Sequence, residues 1–193
     1  GVTEPGYYGF AVLFSDLDDD GWPDIYVAND STPSLFFRNR RDGTFVERGL
    51  QSGIAVSADG REQAGMGVDA ADYDGDGLLD IVKTNFAQDY TSLYRNQGNG
   101  LFVDSSFRSG LAATLGPYLG WGVGFVDADN DGLLDLVNGS LQSNGEKLYL
   151  NNGAFSFARA TGTNGFTPVV DSTLDVAVGD LNGDGVFDIV TAQ

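Results

Sequence analysis

One nine-residue pattern recurs four times in these 193 residues and restricts the folds open to them. It reads DLDDDGWPD from Asp16 to Asp24, DYDGDGLLD from Asp72 to Asp80, DADNDGLLD from Asp127 to Asp135, and DLNGDGVFD from Asp180 to Asp188. The starts lie 56, 55 and 53 residues apart. A fixed period of this length marks a repeat architecture, in which each unit stacks on its neighbour to complete a shared core.

Each copy places an oxygen-bearing side chain at positions 1, 3, 5 and 9 and a glycine at position 6. Alternate residues of a tight loop can aim side chains at one centre, so these spacings predict a cage for a hard cation. The expected side-chain ligands are Asp16, Asp18, Asp20 and Asp24; Asp72, Asp74, Asp76 and Asp80; Asp127, Asp129, Asp131 and Asp135; and Asp180, Asn182, Asp184 and Asp188. The backbone carbonyl of position 7 supplies a further oxygen from Trp22, Leu78, Leu133 and Val186, where the side chain is free to vary. Gly21, Gly77, Gly132 and Gly185 allow the sharp turn before it. Calcium accepts about 6–8 oxygens in a flexible cage, whereas magnesium holds to strict octahedral geometry and keeps its waters. About four Ca²⁺ ions, one per loop, are therefore expected.

An EF-hand needs a bidentate Glu at position 12 and flanking helices. Position 12 is Val27, Lys83, Asn138 or Thr191, and β-forming residues such as Ile25-Tyr26-Val27 and Ile81-Val82 follow each loop. Isolated Asp-Gly clusters are commonly just turns, but four copies in phase favour the metal reading. The acidity has the same origin. The formal charge is −18, and 15 of the 28 acidic residues are expected ligands in the four loops. With only 10 basic residues, nucleic-acid binding is not expected. There is no Cys and no His, which removes thiol nucleophiles, Cys/His zinc sites and a Ser-His-Asp triad. No window is apolar enough for a transmembrane helix.

Alternating apolar residues lead into every loop. Val12, Val68, Val123 and Val176 stand four residues before it, and Phe14, Ala70, Phe125 and Val178 two before. This is the period of a half-buried strand. The residues between them, Leu13, Asp69, Gly124 and Ala177, are mostly small, as strands crowded near an axis require. A second strand leaves each loop, and a third follows at Ser34–Arg38, Ser92–Arg95 and Lys147–Leu150. The third ends at Asn39, Asn96 or Asn151, expected to cap a turn rather than to bind metal. A Phe stands six residues further on, at Phe45, Phe102 or Phe157, and is expected to plug the core. Asp42-Gly43, Asn99-Gly100 and Asn152-Gly153 signal a hairpin between them. Gly65-Met66-Gly67 and Gly122-Val123-Gly124 mimic a phosphate loop but precede strands, so no phosphate site is expected.

The fold class is thus all-β, with four-stranded antiparallel units that stack radially as the blades of a β-propeller. Blade one spans about 7–50, blade two 64–108, blade three 119–160, and half of blade four 173–193. A DxDxDGxxD loop between two strands, followed by the Asn–Gly–Phe hairpin, resembles the FG-GAP/VCBS repeat of integrin-α-type propellers. GFAVLFSDLDDDGWPDIYVAND, GREQAGMGVDAADYDGDGLLDIV and GWGVGFVDADNDGLLDLVNG are most similar to the bacterial branch related to cartilage acidic proteins. The resemblance implies secretion or surface exposure, calcium as a structural ion, and a role in adhesion or assembly. Weak calcium loops point the same way, because they fill only in calcium-rich extracellular fluid.

Asn182 departs from the pattern by lowering the charge of the last loop. Such propellers usually have about seven or eight blades, so three and a half leave open sheet edges. Membership of a larger ring is the favoured resolution, ahead of edge-to-edge polymers or a dimer closing seven blades. The expected partners are an extracellular protein or polysaccharide, or further copies of the chain. Candidate partner surfaces are Asp59–Glu62 and Tyr118–Trp121. Tyr7, Tyr8, Tyr118 and Trp121 can stack on sugars but are expected to pack in the core or interfaces. The alternative is a calcium-dependent polysaccharide lyase or hydrolase, for which Glu62, Asp69, Asp89 and Asp104 are the free acids, none in a recognisable pair. No catalytic constellation is evident, and the chain is not expected to be an enzyme.

Overall fold

The strands form where the alternation places them. In a computed structural model, which describes residues 2, 4–115, 119–140, 147–154, 156–160 and 172–192, three four-stranded antiparallel sheets are followed by a two-stranded one. The first sheet holds β1 (Gly9–Ser15), β2 (Asp24–Asn29), β3 (Leu35–Asn39) and β4 (Phe45–Glu47) in sequential order. The second holds β5 (Gly65–Ala71), β6 (Asp80–Asn85), β7 (Ser92–Asn96) and β8 (Phe102–Asp104). The third holds β9 (Gly120–Val126), β10 (Asp135–Ser140), β11 (Lys147–Asn151) and β12 (Phe157–Arg159), and the last pairs β13 (Asp175–Gly179) with β14 (Asp188–Ala192). The innermost strands β1, β5, β9 and β13 lie side by side. This is the blade arrangement of a propeller.

The core lies between sheets. Tyr26, Phe36 and Leu17 of the first unit pack with Ile81, Tyr94 and Phe102 of the second. Val82, Leu93 and Tyr73 of the second pack with Val123, Leu136, Tyr149 and Phe157 of the third. Val137 of the third meets Val176, Val178 and Ile189 of the fourth. Phe102 and Phe157 are the expected plugs. Phe45 is only half-buried, because the face it occupies, with Ile25, Leu35 and Phe37, has no sheet against it among the described residues. On that same face Val12 and Phe14 are 55% and 66% exposed, although Val68 and Val123 at the first of these register positions are covered by the preceding sheet. The sequence pattern is right and the expected burial fails at this one face.

Linkers carry the chain from one sheet to the next. They contain two short helical turns, α1 (Gly49–Ser52) and α2 (Leu111–Leu115), and insert fully buried Ile54 and Leu111 into the inter-sheet cores. A single turn carries too few residues to show helical periodicity. Tyr26 and Tyr94 hydroxyls donate to the carbonyls of Ile54 and Val56, at 3.0 Å and 3.4 Å, which fixes the first linker to both sheets.

The two glycine triplets have a structural use. A Cβ on Gly67 would lie 2.2 Å from the Trp121 carbonyl oxygen, and one on Gly122 would lie 2.5 Å from the Val176 nitrogen. Neighbouring inner strands approach so closely that only a hydrogen fits. Gly67→Ala is therefore expected to destabilise the fold by about 1–3 kcal/mol through overpacking. Gly179→Ala, on the same kind of strand but with nothing within 4 Å, is expected to be near neutral. Urea unfolding of the two variants checks this difference.

Candidate metal centres

Each acidic loop joins the first two strands of its sheet, and its backbone is organised by its own carboxylates. The position-1 Asp accepts from two amides. In the first loop Asp20 N–H donates to Asp16 Oδ1 at 3.0 Å and Gly21 N–H to Asp16 Oδ2 at 2.7 Å. The same pair recurs on Asp72, Asp127 and Asp180. The position-5 carboxylate accepts from the position-7 amide, at 3.0 Å for Trp22 and Leu78 and 2.8 Å for Leu133 and Val186. The position-6 glycines have φ between 85° and 90°, the left-handed conformation that the pattern demanded.

The position-9 carboxylate closes the structure. Asp24, Asp80 and Asp135 are wholly buried. One oxygen of each accepts from the position-2 amide, of Leu17 at 3.2 Å, Tyr73 at 3.3 Å and Ala128 at 2.9 Å. The other accepts from the amide of the repeated Asn, at 2.8 Å for Asn39, 2.7 Å for Asn96 and 2.8 Å for Asn151. Burial drives these acids toward the neutral form, raising Asp24 to about 6 and Asp80 to about 7, and Asp135 moves the same way.

Carboxylate oxygens of Asp16, Asp18 and Asp24, of Asp72, Asp74 and Asp80, and of Asp127, Asp129 and Asp135 lie within 4.8 Å of one another. These three clusters fit a metal ion: hard oxygen donors converge, and the position-9 carboxylate of each trio is buried. In the fourth loop Asn182 stands where the others have Asp, and its Oδ1 accepts from Asp184 N–H at 2.9 Å.

The position-5 residues Asp20, Asp76 and Asp131 fall outside the trios. Two are drawn toward arginine. Arg38 forms an ion pair with Asp18 and lies 3.7 Å from Asp20, and Arg41 lies 2.8 Å from Asp20. Arg95 pairs with Asp74 and, at 3.0 Å, with Asp76. The Arg41 pair holds Asp20 below the usual carboxylate range. These arginines were missed in the sequence. The signal was the repeated Arg-Asn at the end of the third strand, Arg38-Asn39 and Arg95-Asn96, which becomes Leu150-Asn151 in the third unit.

The repeated Asn caps its turn, as expected. Its Oδ1 accepts from Arg41, Gly98 or Gly153 N–H at 2.9–3.0 Å. It also reaches the neighbouring unit. Asn96 Nδ2 donates to Leu17 O in the first loop at 2.9 Å, and Asn151 Nδ2 to Tyr73 O in the second at 3.0 Å. Sheets are thus joined loop to hairpin.

The remaining candidates do not come together. Asp69 is a staple, accepting from Phe125 N–H of the next inner strand and from its neighbour Ala70 N–H, both at 2.9 Å. Asp89 accepts from Ala64 N–H and Asp104 from the Tyr90 hydroxyl. In the Asp59–Glu62 stretch, Asp59 is held by Ser57 and Arg61. Trp121 packs edge-on against Phe10 at 6.0 Å beside the axis, while Tyr7 and Tyr8 are exposed. Tyr118 lies outside the described residues.

A family model for FG-GAP-like repeats matches residues 16–82 and 139–191, more than half of the chain. The chain belongs to the FG-GAP-like repeat family. The third loop falls between the matched segments yet repeats the geometry of the first two. Human cartilage acidic protein 1 is 41% identical over 63 residues, which is 33% of this chain and 9% of that protein. The mouse protein is 26% identical over 187 residues, 88% of this chain and 26% of its own length. The chain therefore spans about a quarter or less of the length of the curated relatives it matches. An Agrocybe aegerita lectin described as recognising non-reducing terminal N-acetylglucosamine superposes with a TM-score of 0.52 at 24% identity, over 92% of this chain and 45% of its own. The Vibrio cholerae biofilm matrix protein Bap1 gives 0.51 at 20%, over 96% and 28%. These two likenesses concern the fold.

The cross-unit bond makes the repeated asparagines unequal. Asn39 Nδ2 donates to Pro23 O at an exposed site, whereas Asn96 satisfies two carbonyls, one of them in the neighbouring unit. Asn96→Ala is expected to cost about 1–3 kcal/mol, the usual penalty for stranding buried polar groups, and Asn39→Ala clearly less. Chemical denaturation of both variants gives the comparison.

Proposed function

We propose that this FG-GAP-like chain is an extracellular, calcium-stabilised module with a structural, adhesive or binding role. The observation that carries the reading is the same hydrogen-bonded loop in all four units, with three carboxylates converging in three of them. Calcium is favoured over magnesium because the loops offer a roomy, all-oxygen, highly charged cage. The side chains at positions 1, 3 and 9 would form its base, with the position-5 side chain and the position-7 carbonyl completing it. A dication there would neutralise the buried position-9 carboxylate and pin the first two strands of a blade to the hairpin held by the repeated Asn. Extracellular placement follows from calcium supply and agrees with the family. Among the described residues no helix is long and apolar enough to cross a membrane.

A site filled at a hundred times its dissociation constant stabilises the fold by about 2.7 kcal/mol. Calcium is thus expected to raise the melting temperature by several degrees and a chelator to reverse it. Asp129→Ala, at an exposed position of the third loop, is expected to lower the calcium stoichiometry by one ion per chain while leaving the chelated melt nearly unchanged. An unchanged melt with calcium, or unchanged stoichiometry in the variant, would overturn the reading.

The pH dependence has a definite sign. In the ion-free fold Asp24 and Asp80 hold a proton up to about 6 and about 7, well above an unfolded Asp near 3.9. The folded state binds more protons, so these groups make the ion-free fold lose stability as pH rises from about 4 through about 7. Calcium must expel those protons. Calorimetry in buffers of different ionisation heat is expected to show proton release on binding near pH 6 and almost none near pH 8. The affinity weakens correspondingly as the medium acidifies.

A further inference from the structure

The chain has few cations, and four of its ten basic residues line one cavity. Arg38, Arg40, Arg41 and Arg48 surround a space of about 340 Å³ on the β3–β4 hairpin, together with Asn39, Val46 and a single acid, Asp20. β3 and β4 are antiparallel with Arg38 opposite Val46, so Arg38, Val46 and Arg48 share one face. Arg38 and Arg48 also line a second cavity of about 180 Å³, which reaches across to the second sheet and includes Gln51, Asn99 and Leu101. The two spaces adjoin at Arg38 and Arg48, which line both, and together make up a groove along the first two sheets. Convergent guanidinium groups repel one another, and in an acidic protein each could have been given a carboxylate. Only Arg38 and Arg41 have ion pairs, both with the first acidic loop; Arg40 and Arg48 are exposed.

The geometry points to this groove as a binding site for an acidic saccharide bearing carboxylate or sulfate groups. Arginine presents a planar fork of donors that matches such oxyanions with two parallel hydrogen bonds. Arg40 and Arg48 grip the anion. The exposed amides of Gln51 and Asn99 suit sugar hydroxyls, and Leu101, 52% exposed, suits the C–H face of a sugar ring. The two exposed amides beside the arginines favour a hydroxyl-rich ligand over an acidic peptide. The site is coupled to the loop beside it. Arg38 and Arg41 are tied to Asp18 and Asp20, which are the carboxylates a calcium ion in the first loop would take. Calcium then frees two more guanidinium groups for the ligand. This coupling rests on the calcium reading above; the site itself does not.

The test is calorimetric titration of the full chain with a sulfated tetrasaccharide and with an oligogalacturonate, each in excess calcium and in chelator, with polyglutamate as the acidic-peptide control. Both saccharides are expected to bind, more weakly as salt rises. Arg40→Gln with Arg48→Gln is expected to reduce affinity by about tenfold or more, the scale of a lost charge-assisted hydrogen bond, with the calcium-dependent melt unchanged. Removing calcium is expected to weaken binding of the unaltered chain. Absence of binding by either saccharide overturns the proposal, as does binding that the double variant leaves intact. Binding of polyglutamate alone overturns the saccharide assignment in favour of an acidic protein. If calcium shifts the melt but not the saccharide affinity, the coupling fails. If calcium does not shift the melt while binding sensitive to Arg40 and Arg48 persists, the calcium reading fails and the site stands.

Discussion

The buried carboxylate at the ninth loop position is the interaction on which the rest depends. Asp24, Asp80 and Asp135 each tie the start of their loop to the end of the third strand through backbone amides. Three segments of one blade meet at two oxygen atoms. Burying an acid in this way is unfavourable unless it is neutral or paired, and the upward shifts at Asp24 and Asp80 express that tension. A dication of the kind proposed above would resolve it by neutralising the carboxylate. The chemistry of the centre and the mechanical closure of the blade are therefore one feature.

Stability passes from one unit to the next by two further means. The repeated asparagine carries it from hairpin to adjacent loop, and the glycine-lined inner strands carry it along the axis. Asp69 adds a third contact there, with a partly buried carboxylate bonded to the neighbouring strand. In a repeat protein most of the core belongs to interfaces, and here the polar contacts follow the same rule. Tyr26 and Tyr94 do both jobs, filling the apolar space between sheets while their hydroxyls secure the linker.

Much of this was legible in the sequence because the signals were local. Loop positions, strand alternation and the turn at Asn99-Gly100, where both residues have positive φ, depend on neighbours within a few residues. What was hidden depends on distant parts of the chain. Val12 and Phe14 follow the same alternation as their counterparts, and only the arrangement of sheets shows that their face is open. α1 and α2 are too short for periodicity to reveal, although buried Leu111 and Ile54 show that the linkers contribute to the core. The pairing of Asp20 with Arg41 and of Asp76 with Arg95 joins residues some twenty positions apart and has no local trace either. The reach of Asn96 to Leu17 spans 79 residues and has no local trace.

The arginine at the end of the third strand has a consequence for how the units differ. Arg38 and Arg95 act as internal counter-ions for the first two loops, whereas Leu150 takes that register position in the third. Where dissolved cations are scarce, the first two blades keep part of their charge balance from within, and Leu150 brings no charge to that position in the third. Successive copies of one motif are thereby graded in their reliance on the surrounding medium, and a thinning ionic environment would loosen the molecule from one side rather than all at once.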